Sequence, residues 1–550
     1  MIKSQLKARI DKCFQQGVQE GYWGETAAGK YTVEVPKHEG QGDFSTNMAL
    51  VVAGTEKRNP REVAKRLADM LAGEELLERV EVAGPGFVNF YMRPEVWGTV
   101  LKPVIAEDEH FGQTDIGAGK KVLVEFVSAN PTGPLSLGHG RNAILGDTIA
   151  RLLTAVGYEV TREYYFNDAG RQMRVLGSST RARYLELLGL EAEFPEDGYR
   201  GEYITDIAAG LKEKYGDSLK DAGITVFKEK AEKAIFADIE ATLQRIGIVF
   251  DSYYNEHTLY EKGLIDDVVA ELRKKDLVYD HDGAVWFKTT ALGLEKDRVI
   301  IKSSGEPTYR LPDIAYHREK FRRGFDWMIN VFGADHIATV PDVLAGVRSL
   351  GYDDSKITTV LYQFVTLLRD GKQVKMSTRK ATFVTIDELL DEVGRDAMRF
   401  FFLMRRADSQ LEFDLELATK ESQENPVYYV QYAHARLSSI LRLAQERECR
   451  LISPDQAPLE RLCEPEEFEL LRLLADYPAL VRTAALELAP HRLIFYLMEL
   501  AGRFHSYYNK HKVITDDIPL TAARLCLING LRIVLRNGLL LAGLSAPDTM

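Results

Sequence analysis

Cysteine is scarce. The 550-residue chain has only four, Cys13, Cys449, Cys463 and Cys526, and no two of them form a CxxC or CxxxC pair. That spacing argues against a disulfide framework or a structural zinc site, and it fits a reducing cytoplasm. Long apolar runs are missing too: no stretch approaches the ~18 uninterrupted apolar residues of a membrane span. Residues 1–14 read as a charged amphipathic helix rather than an apolar signal region. A soluble, cytoplasmic chain without a membrane partner is expected. No low-complexity tract, internal repeat or P-loop pattern is visible. Positive charge is in deficit, with 70 Lys and Arg against 82 Asp and Glu and a formal net charge of -12. Because phosphate contacts need cations, composition does not point to a nucleic-acid binder, and any such role must rest on local clusters.

Such clusters are present at residues 317–323, 372–380 and 503–512. In the last, Arg503, Tyr507 and Lys510 fall on neighbouring turns of one helix, a mixture of cations and rings that suits phosphates and stacked bases. The plain alternative is a solvated helix face. A chain of this length exceeds the ~250–300 residues at which single cores stop growing, so roughly two to four domains are expected.

The pattern along the chain divides accordingly. Residues 1–112 read as a small α+β unit: a first helix, the alternating strand 31–35, a helix after Asn59-Pro60, and a strand pair over 80–92 broken by Gly84-Pro85-Gly86. Residues 118–370 open with a continuous apolar strand at 122–127, then a Pro/Gly loop, a helix over about 138–156 and a strand over 159–165. Strand, helix, strand at this length is a βαβ unit that starts a parallel α/β sheet. A charged, helical stretch of about 171–285 reads as an insertion, after which strands return at 284–288, 327–332 and 357–362. Residues 371–420 hold a cationic loop and connecting helices. Residues 421–550 show helical periodicity throughout and read as an all-α domain.

Two segments carry the chemistry. In Ser136-Leu137-Gly138-His139, a helix begins after a buried strand, so free N–H groups and the positive helix end face the carboxyl edge of the sheet, where phosphates bind well. Gly138 lets a ligand approach the backbone, and His139 can donate to a phosphoryl oxygen. Taken alone, a capping or packing role is the simpler account of both. Far along the chain, Lys375-Met376-Ser377-Thr378-Arg379-Lys380 sets cations around small hydroxyls on an exposed loop, which suits a triphosphate whose leaving pyrophosphate must be neutralised. A solvated charged loop is its bland reading.

The pair, in this order, resembles the HIGH-type and KMSKS-type signatures of class I aminoacyl-tRNA synthetases. The run from Val127 through Asn130-Pro131-Thr132-Gly133-Pro134-Leu135 narrows the likeness to the bacterial arginyl branch, as do Asn167-Asp168-Ala169-Gly170, Gly333-Ala334-Asp335-His336 and Tyr429-Val430-Gln431-Tyr432-Ala433-His434-Ala435-Arg436. The likeness runs through essentially the whole chain. It implies a Rossmann-type catalytic domain with a helical insertion, a small α+β domain before it and an all-α anticodon-binding domain after it. It implies that ATP, accompanied by Mg²⁺, activates L-arginine, which then passes to the terminal adenosine of tRNA(Arg). The implied partners are tRNA(Arg), L-arginine and ATP, with the chain acting as a monomer.

The resemblance also assigns roles. His139, Ser136, Lys375 and Arg379 are the expected catalytic groups. Gly138, His139, His336, Lys375, Met376, Ser377 and Thr378 would hold ATP, and Glu125, Ser128, Asn130, Tyr309 and Asp313 would hold arginine. Arg503, Tyr507, Lys510 and Met550 would meet the tRNA, and no protein ligand set for a metal is expected. A selective guanidinium site needs a carboxylate placed for paired N–H···O bonds, the part given to Asp313; without the likeness, an N-cap after Pro312 and core packing of Tyr309 are the plainer readings. The chain departs from the family pattern in having Ser136 where the first His of the HIGH-type motif stands, and Thr378 where the second lysine of the other motif stands.

Overall fold

The computed structural model describes residues 1–36, 38, 40–374 and 384–550. Its centre is a five-stranded sheet of parallel neighbours: β1 (Lys121–Glu125), β2 (Glu159–Phe166), β3 (Ser252–Asn255), β4 (Trp327–Gly333) and β5 (Ile357–Tyr362), in the spatial order β5-β4-β1-β2-β3. All but the first residue of β1 are buried. This is why the strand reads as an unbroken apolar run, as strands covered on both faces do. Helix α1 (Leu137–Ala155) makes the crossover from β1 to β2 and is buried almost all round, including Arg141 and Asp147.

The expected βαβ unit is therefore present, but the returning strands differ from expectation. Ala284–Phe287 does not rejoin the parallel sheet; it pairs with Val278–His281 and Arg298–Ile301 in a separate antiparallel sheet. The reason is local. Asp282 and Gly283 both take positive φ, 50° and 74°, which is the two-residue turn that joins antiparallel neighbours. Conversely β3, which lies inside the stretch read as an insertion, is the edge strand of the parallel sheet. The helices Arg171–Leu187, Glu202–Tyr215 and Ile224–Arg245 do form a helical layer between β2 and β3.

At the N-terminus, a four-stranded antiparallel sheet (Val33–Glu34, Phe44–Thr46, Phe87–Met92, Leu77–Ala83) carries the helices Ile2–Gln19, Met48–Glu56 and Pro60–Leu71. Asn59 caps the last of these by accepting the Arg61 amide, as its position before a proline at N1 favours. Helix α2 (Arg310–Arg322) precedes β4 and packs on the parallel sheet, and after β5 come α3 (Ile386–Leu403) and a bundle of α4 (Pro426–Glu446), α5 (Pro465–Leu486), α6 (His491–Lys510) and α7 (Ile518–Leu541). By length and composition α7 is apolar enough to cross a membrane, but 72% of its apolar window is buried inside the structure. It is the central helix of the bundle, and a helix apolar all round is what such a place requires. One apolar cluster runs from the N-terminal helices through one face of the sheet into this bundle, and a second packs the face under α2.

Candidate active site

The loop leaving β1 is strained. Val127 and Ser128 take φ of 64° and 44°, a region disfavoured for any side chain and most of all for a β-branched one. It is held from three sides. The Val127 amide donates to Asn142 Oδ1 of α1 (2.7 Å), Asn142 Nδ2 donates to the Val331 carbonyl of β4 (2.8 Å), and the Tyr165 amide of β2 donates to Ser128 Oγ (3.1 Å). Ser128 in turn donates to Glu125 Oε1 at 3.3 Å. The strand thus ends at Glu125, two residues before the apolar run does, and its carboxyl edge opens toward Asn130, which donates to Gln172 Oε1 at 2.6 Å.

Ser136 is the N-cap of α1, and His139 sits in the first turn. The Ser136 amide donates to His139 Nδ1, with Ser136 Oγ also 3.2 Å from that nitrogen. An Nδ1 that accepts an amide proton carries none itself, so the ring is the neutral Nε2–H tautomer. Burial agrees, pushing the imidazole down to about 4. A Cβ on Gly138 would meet only Ser136 Oγ, 3.8 Å away, so the helix start is open to a ligand.

Behind the sheet edge lies a buried polar chain. Lys320 Nζ of α2, fully buried, donates to Glu125 Oε2 (2.5 Å) and Asn330 Oδ1 (2.8 Å). Asn330 Nδ2 meets His317 Nε2 at 2.9 Å, and His317 Nδ1 lies 2.8 Å from the Asp313 carbonyl. With Nε2 accepting and Nδ1 donating, His317 is neutral as well, and burial holds it near 3. These bonds lock the first turns of α2. Tyr309, not Asp313, is the N-cap; Asp313 lies a turn in, half-buried, while Tyr309 is 71% exposed. The N-cap and core-packing readings of these two residues are thereby set aside.

Among the described residues Asp313 has no ion-pair partner. Burial first, then the carboxylates of Glu125 and Glu256, push it up to about 8, with Lys320 and Arg310 opposing. Glu256, at the carboxyl end of β3, is raised to about 7 by burial and by Asp168, and among the described residues its Oε2 has no hydrogen-bond partner. The turn that carries it is pinned by Asp168, which accepts the His257 amide (3.0 Å) and Asn255 Nδ2 (2.9 Å). Glu256 is not legible in the sequence as a member of this acidic group. The signal that finds it is its place at a strand's carboxyl end, where ligand sites of parallel sheets gather, and that signal is lost when β3 is read as insertion.

His336 lies in the 3-10 turn Ala334–Ala338 after β4, its ring 5.2 Å from that of Phe332. Lys375, Met376, Ser377, Thr378 and Arg379 lie outside the described residues.

The bundle face needs one correction. Tyr507 does not share a surface with Arg503 and Lys510: it is fully buried, and its hydroxyl donates to Glu467 at 3.1 Å. The large ring fills the interface of α5, α6 and α7, and Glu467 is itself paired there with Arg524 (2.8 Å). Arg503 and Lys510 are exposed and bridge to Glu469 (3.0 Å) and Glu466 (2.6 Å). Nearby lie the half-buried rings of Tyr428 and Tyr432 on α4 and the exposed ring of Tyr508 on α6. Tyr428 stacks on Tyr432 (centroids 6.0 Å, 10°), and the Arg436 guanidinium lies 4.7 Å from the Tyr432 ring and 4.9 Å from that of Tyr508. The chain end is tied along α4 through Ser438 to Asp548 (2.8 Å), leaving Met550 52% exposed.

Residues 1–92, 100–408 and 430–550 match, respectively, the families described as arginyl tRNA synthetase N terminal domain, tRNA synthetases class I (R) catalytic domain, and DALR anticodon binding domain. The arginine–tRNA ligase of Desulfotalea psychrophila is 65% identical over the full length of both chains. This chain belongs to the arginyl-tRNA synthetase family. Another arginine–tRNA ligase, from Geobacter sp., is 48% identical, again over the whole of both chains. The solved arginyl-tRNA synthetase of Thermus thermophilus shares the fold along the whole of both chains, with a TM-score of 0.76 at 24% identity. In this arginyl-tRNA synthetase family member, the helix start at His139 and the acidic group of Asp313, Glu256 and Glu125 meet at one sheet edge.

Proposed function

We propose that this chain is an arginine–tRNA ligase that activates L-arginine with ATP and passes it to the 3′-terminal adenosine of tRNA(Arg). The observation that carries this reading is the acidity of Asp313 and Glu256, which pairs with no cation among the described residues. Burial raises both carboxyls into the neutral range, helped by Glu125 and Glu256 at Asp313 and by Asp168 at Glu256, and a permanently charged planar guanidinium relieves that cost while using their oxygens. Tyr309, exposed one turn before Asp313, would cover the bound guanidinium. Glu125, Ser128 and Asn130 lie where the amino and carboxylate groups would be held.

ATP would lie across the α1 N-terminus, where free amides and the helix end favour phosphate. The amino-acid carboxylate attacks the α-phosphorus and pyrophosphate leaves. His139 donates from Nε2 to a phosphoryl oxygen as charge grows on it, without changing its own protonation. Ser136 holds that ring. Lys375 and Arg379 are the cations for the leaving pyrophosphate, and Gly138, His336, Met376, Ser377 and Thr378 complete the nucleotide site. Mg²⁺ would arrive with ATP, held mostly by phosphate oxygens and water. A hydroxyl of the terminal ribose then takes the arginyl group, the 2′ one by analogy with class I enzymes. Positioning and charge neutralisation supply most of the acceleration.

In this reading residues 1–112 contact tRNA, 118–370 form the catalytic domain, 371–420 carry the second motif, and 421–550 bind the anticodon. Tyr428, Tyr432, Tyr508 and Arg436 take the stacking role that the buried Tyr507 cannot, with Arg503, Lys510 and Met550 beside them. The enzyme works as a cytoplasmic monomer. The test is aminoacylation of bulk tRNA with each of the twenty amino acids. Charging with arginine alone is expected, and charging with none would overturn the reading. Arginine-dependent ATP–pyrophosphate exchange is expected only once cognate tRNA is added, the RNA completing the site by induced fit.

A further inference from the structure

A cavity of about 440 Å³ lies on the far side of the catalytic unit from the site above. It opens where three parts of the chain meet: the linker around Phe111 and Gly112, the C-terminal turns of α1 with the start of β2, and the helices α5 and α7. His139 and Arg151 stand twelve residues apart on α1, which puts the cavity roughly 18 Å from the proposed phosphate site along the helix axis. A ligand here would not compete for ATP or arginine.

One wall is cationic. Arg151 and Arg162 both line it. Their counter-charge is already shared: the single carboxylate of buried Asp147 accepts from Arg399 (2.6 Å) and Arg151 (2.8 Å) and lies 3.6 Å from Arg162. The other carboxylate near Arg162 is that of Asp251, half exposed and 3.8 Å away. Among the described residues the Arg162 guanidinium makes only these two longer approaches, while Arg151 also reaches the Gly247 carbonyl at 3.3 Å. The other wall is apolar, made by Phe111, Leu540 and Leu541, with Tyr477 stacked behind Phe111 (centroids 6.0 Å, 20°). Glu109 and His110 stand at the mouth, turned largely to solvent. Asn537 is committed to the Asp108 carbonyl (2.7 Å) and fixes the linker against α7.

A guanidinium short of hydrogen bonds faces an aromatic and aliphatic wall across a space the size of a small ligand site. We propose that this cavity is a second binding site, for a small organic anion: a flat ring bearing a carboxylate or phosphate, its charge on Arg162 and Arg151 and its ring against Phe111 and Leu540. By touching the linker, α1 and α7 together, such a ligand would fasten the bundle to the catalytic unit.

The test is ligand-observed NMR and calorimetric titration of the full chain with benzoate and phenyl phosphate, with benzyl alcohol as the uncharged ring and inorganic phosphate as the bare anion. Binding of at least one ring anion, at least tenfold tighter than that of benzyl alcohol and inorganic phosphate, is expected; the tighter of the two identifies the head group. Arg162→Gln should weaken it about tenfold or more, and Thr154→Trp, which fills the mouth from an exposed helix position, should abolish it. Asp313→Asn should leave it unchanged, which separates this site from the proposed arginine pocket. No binding by either ring anion, or binding indifferent to both Arg162→Gln and Thr154→Trp, would overturn the proposal.

Discussion

The backbone amide of Ser136 donates to Nδ1 of His139 at 3.2 Å, so the residue that stands in place of the motif's first histidine holds the second in its Nε2–H form. The bond comes from the backbone and is available whatever side chain occupies position 136. His139→Ala is expected to lower the turnover number by about 10²–10³, the usual loss for a transition-state donor, with little change in the Michaelis constant for ATP. Steady-state aminoacylation checks this. Because the ring is held near 4 against about 6.5 when unfolded, its contribution to stability is fully present above about pH 6.5 and is lost as pH falls toward 4. A control without that slope is His139→Ala followed by thermal melts over the same range.

Asp313→Asn should act in opposite directions on binding and on stability. Arginine binding should weaken by on the order of 2–5 kcal/mol, as when one partner of a buried charge pair is truncated, with ATP binding unchanged in calorimetry. Yet the folded protein should melt higher, by roughly 1–3 °C at pH 8. The carboxyl ionises near 3.9 when unfolded and near 8 when folded. Between those values the folded state keeps a proton that the unfolded state has lost, so stability falls as pH rises, and the amide removes that penalty.

Arginine affinity should depend on pH in a defined window. The cation prefers the ionised pocket, while the free protein holds Asp313 near 8 and Glu256 near 7. Affinity should therefore fall as pH drops below about 8, by up to tenfold per unit for each proton that must leave. Titrations in buffers of different ionisation enthalpy should register proton release at pH 7. Glu256→Gln should flatten the lower part of the profile. A profile flat from pH 6.5 to 8.5 would remove these carboxylates from the guanidinium site.

On the bundle, Arg436→Ala should weaken tRNA binding and reduce the salt dependence by nearly one unit of slope if its guanidinium meets a phosphate. Tyr432→Ala should weaken binding with the slope intact, since stacking carries no counterion release. Filter binding across a salt series separates the two. Tyr507→Phe should leave both quantities unchanged and lower stability modestly, because its hydroxyl is buried and donates to Glu467 within the bundle.

Arg399 joins the catalytic unit to the bundle. Fully buried, it donates to Asp147 on α1 (2.6 Å), to the Ile246 carbonyl (3.0 Å) and to the Ala542 carbonyl just past α7 (3.0 Å). Arg399→Leu removes the donor from both carbonyls and leaves Asp147 with Arg151 as its bonded cation; it should cost about 3–5 kcal/mol, seen as a lower thermal midpoint and earlier proteolysis near residue 542.

Local chemistry decided much of this protein. The Asn59-Pro60 start, the Gly84-Pro85-Gly86 break, the apolar run of β1 with the helix start behind it, and the long periodic segments of the bundle are written in neighbouring residues, because caps, turns and 3.6-residue periods act over a few positions. The ordered blocks around Ser136-Leu137-Gly138-His139 and Asp313 identified the family for the same reason. What the chain alone did not decide depends on partners far away in sequence. Ser252–Asn255 is a sheet strand because β2 lies beside it, and Ala284–Phe287 is not one of the same sheet because its turn at Asp282-Gly283 supplies a nearer antiparallel neighbour. The left-handed turn at Val127 is tolerable only with Asn142 and Tyr165 in place. Tyr507 is a stacking ring by composition and a core residue by packing, since only the assembled bundle determines which side of α6 meets Glu467. Glu256 becomes an arginine-pocket candidate only when the fold carries it beside Asp313. Charge acts through space, and a sequence orders residues only along the chain.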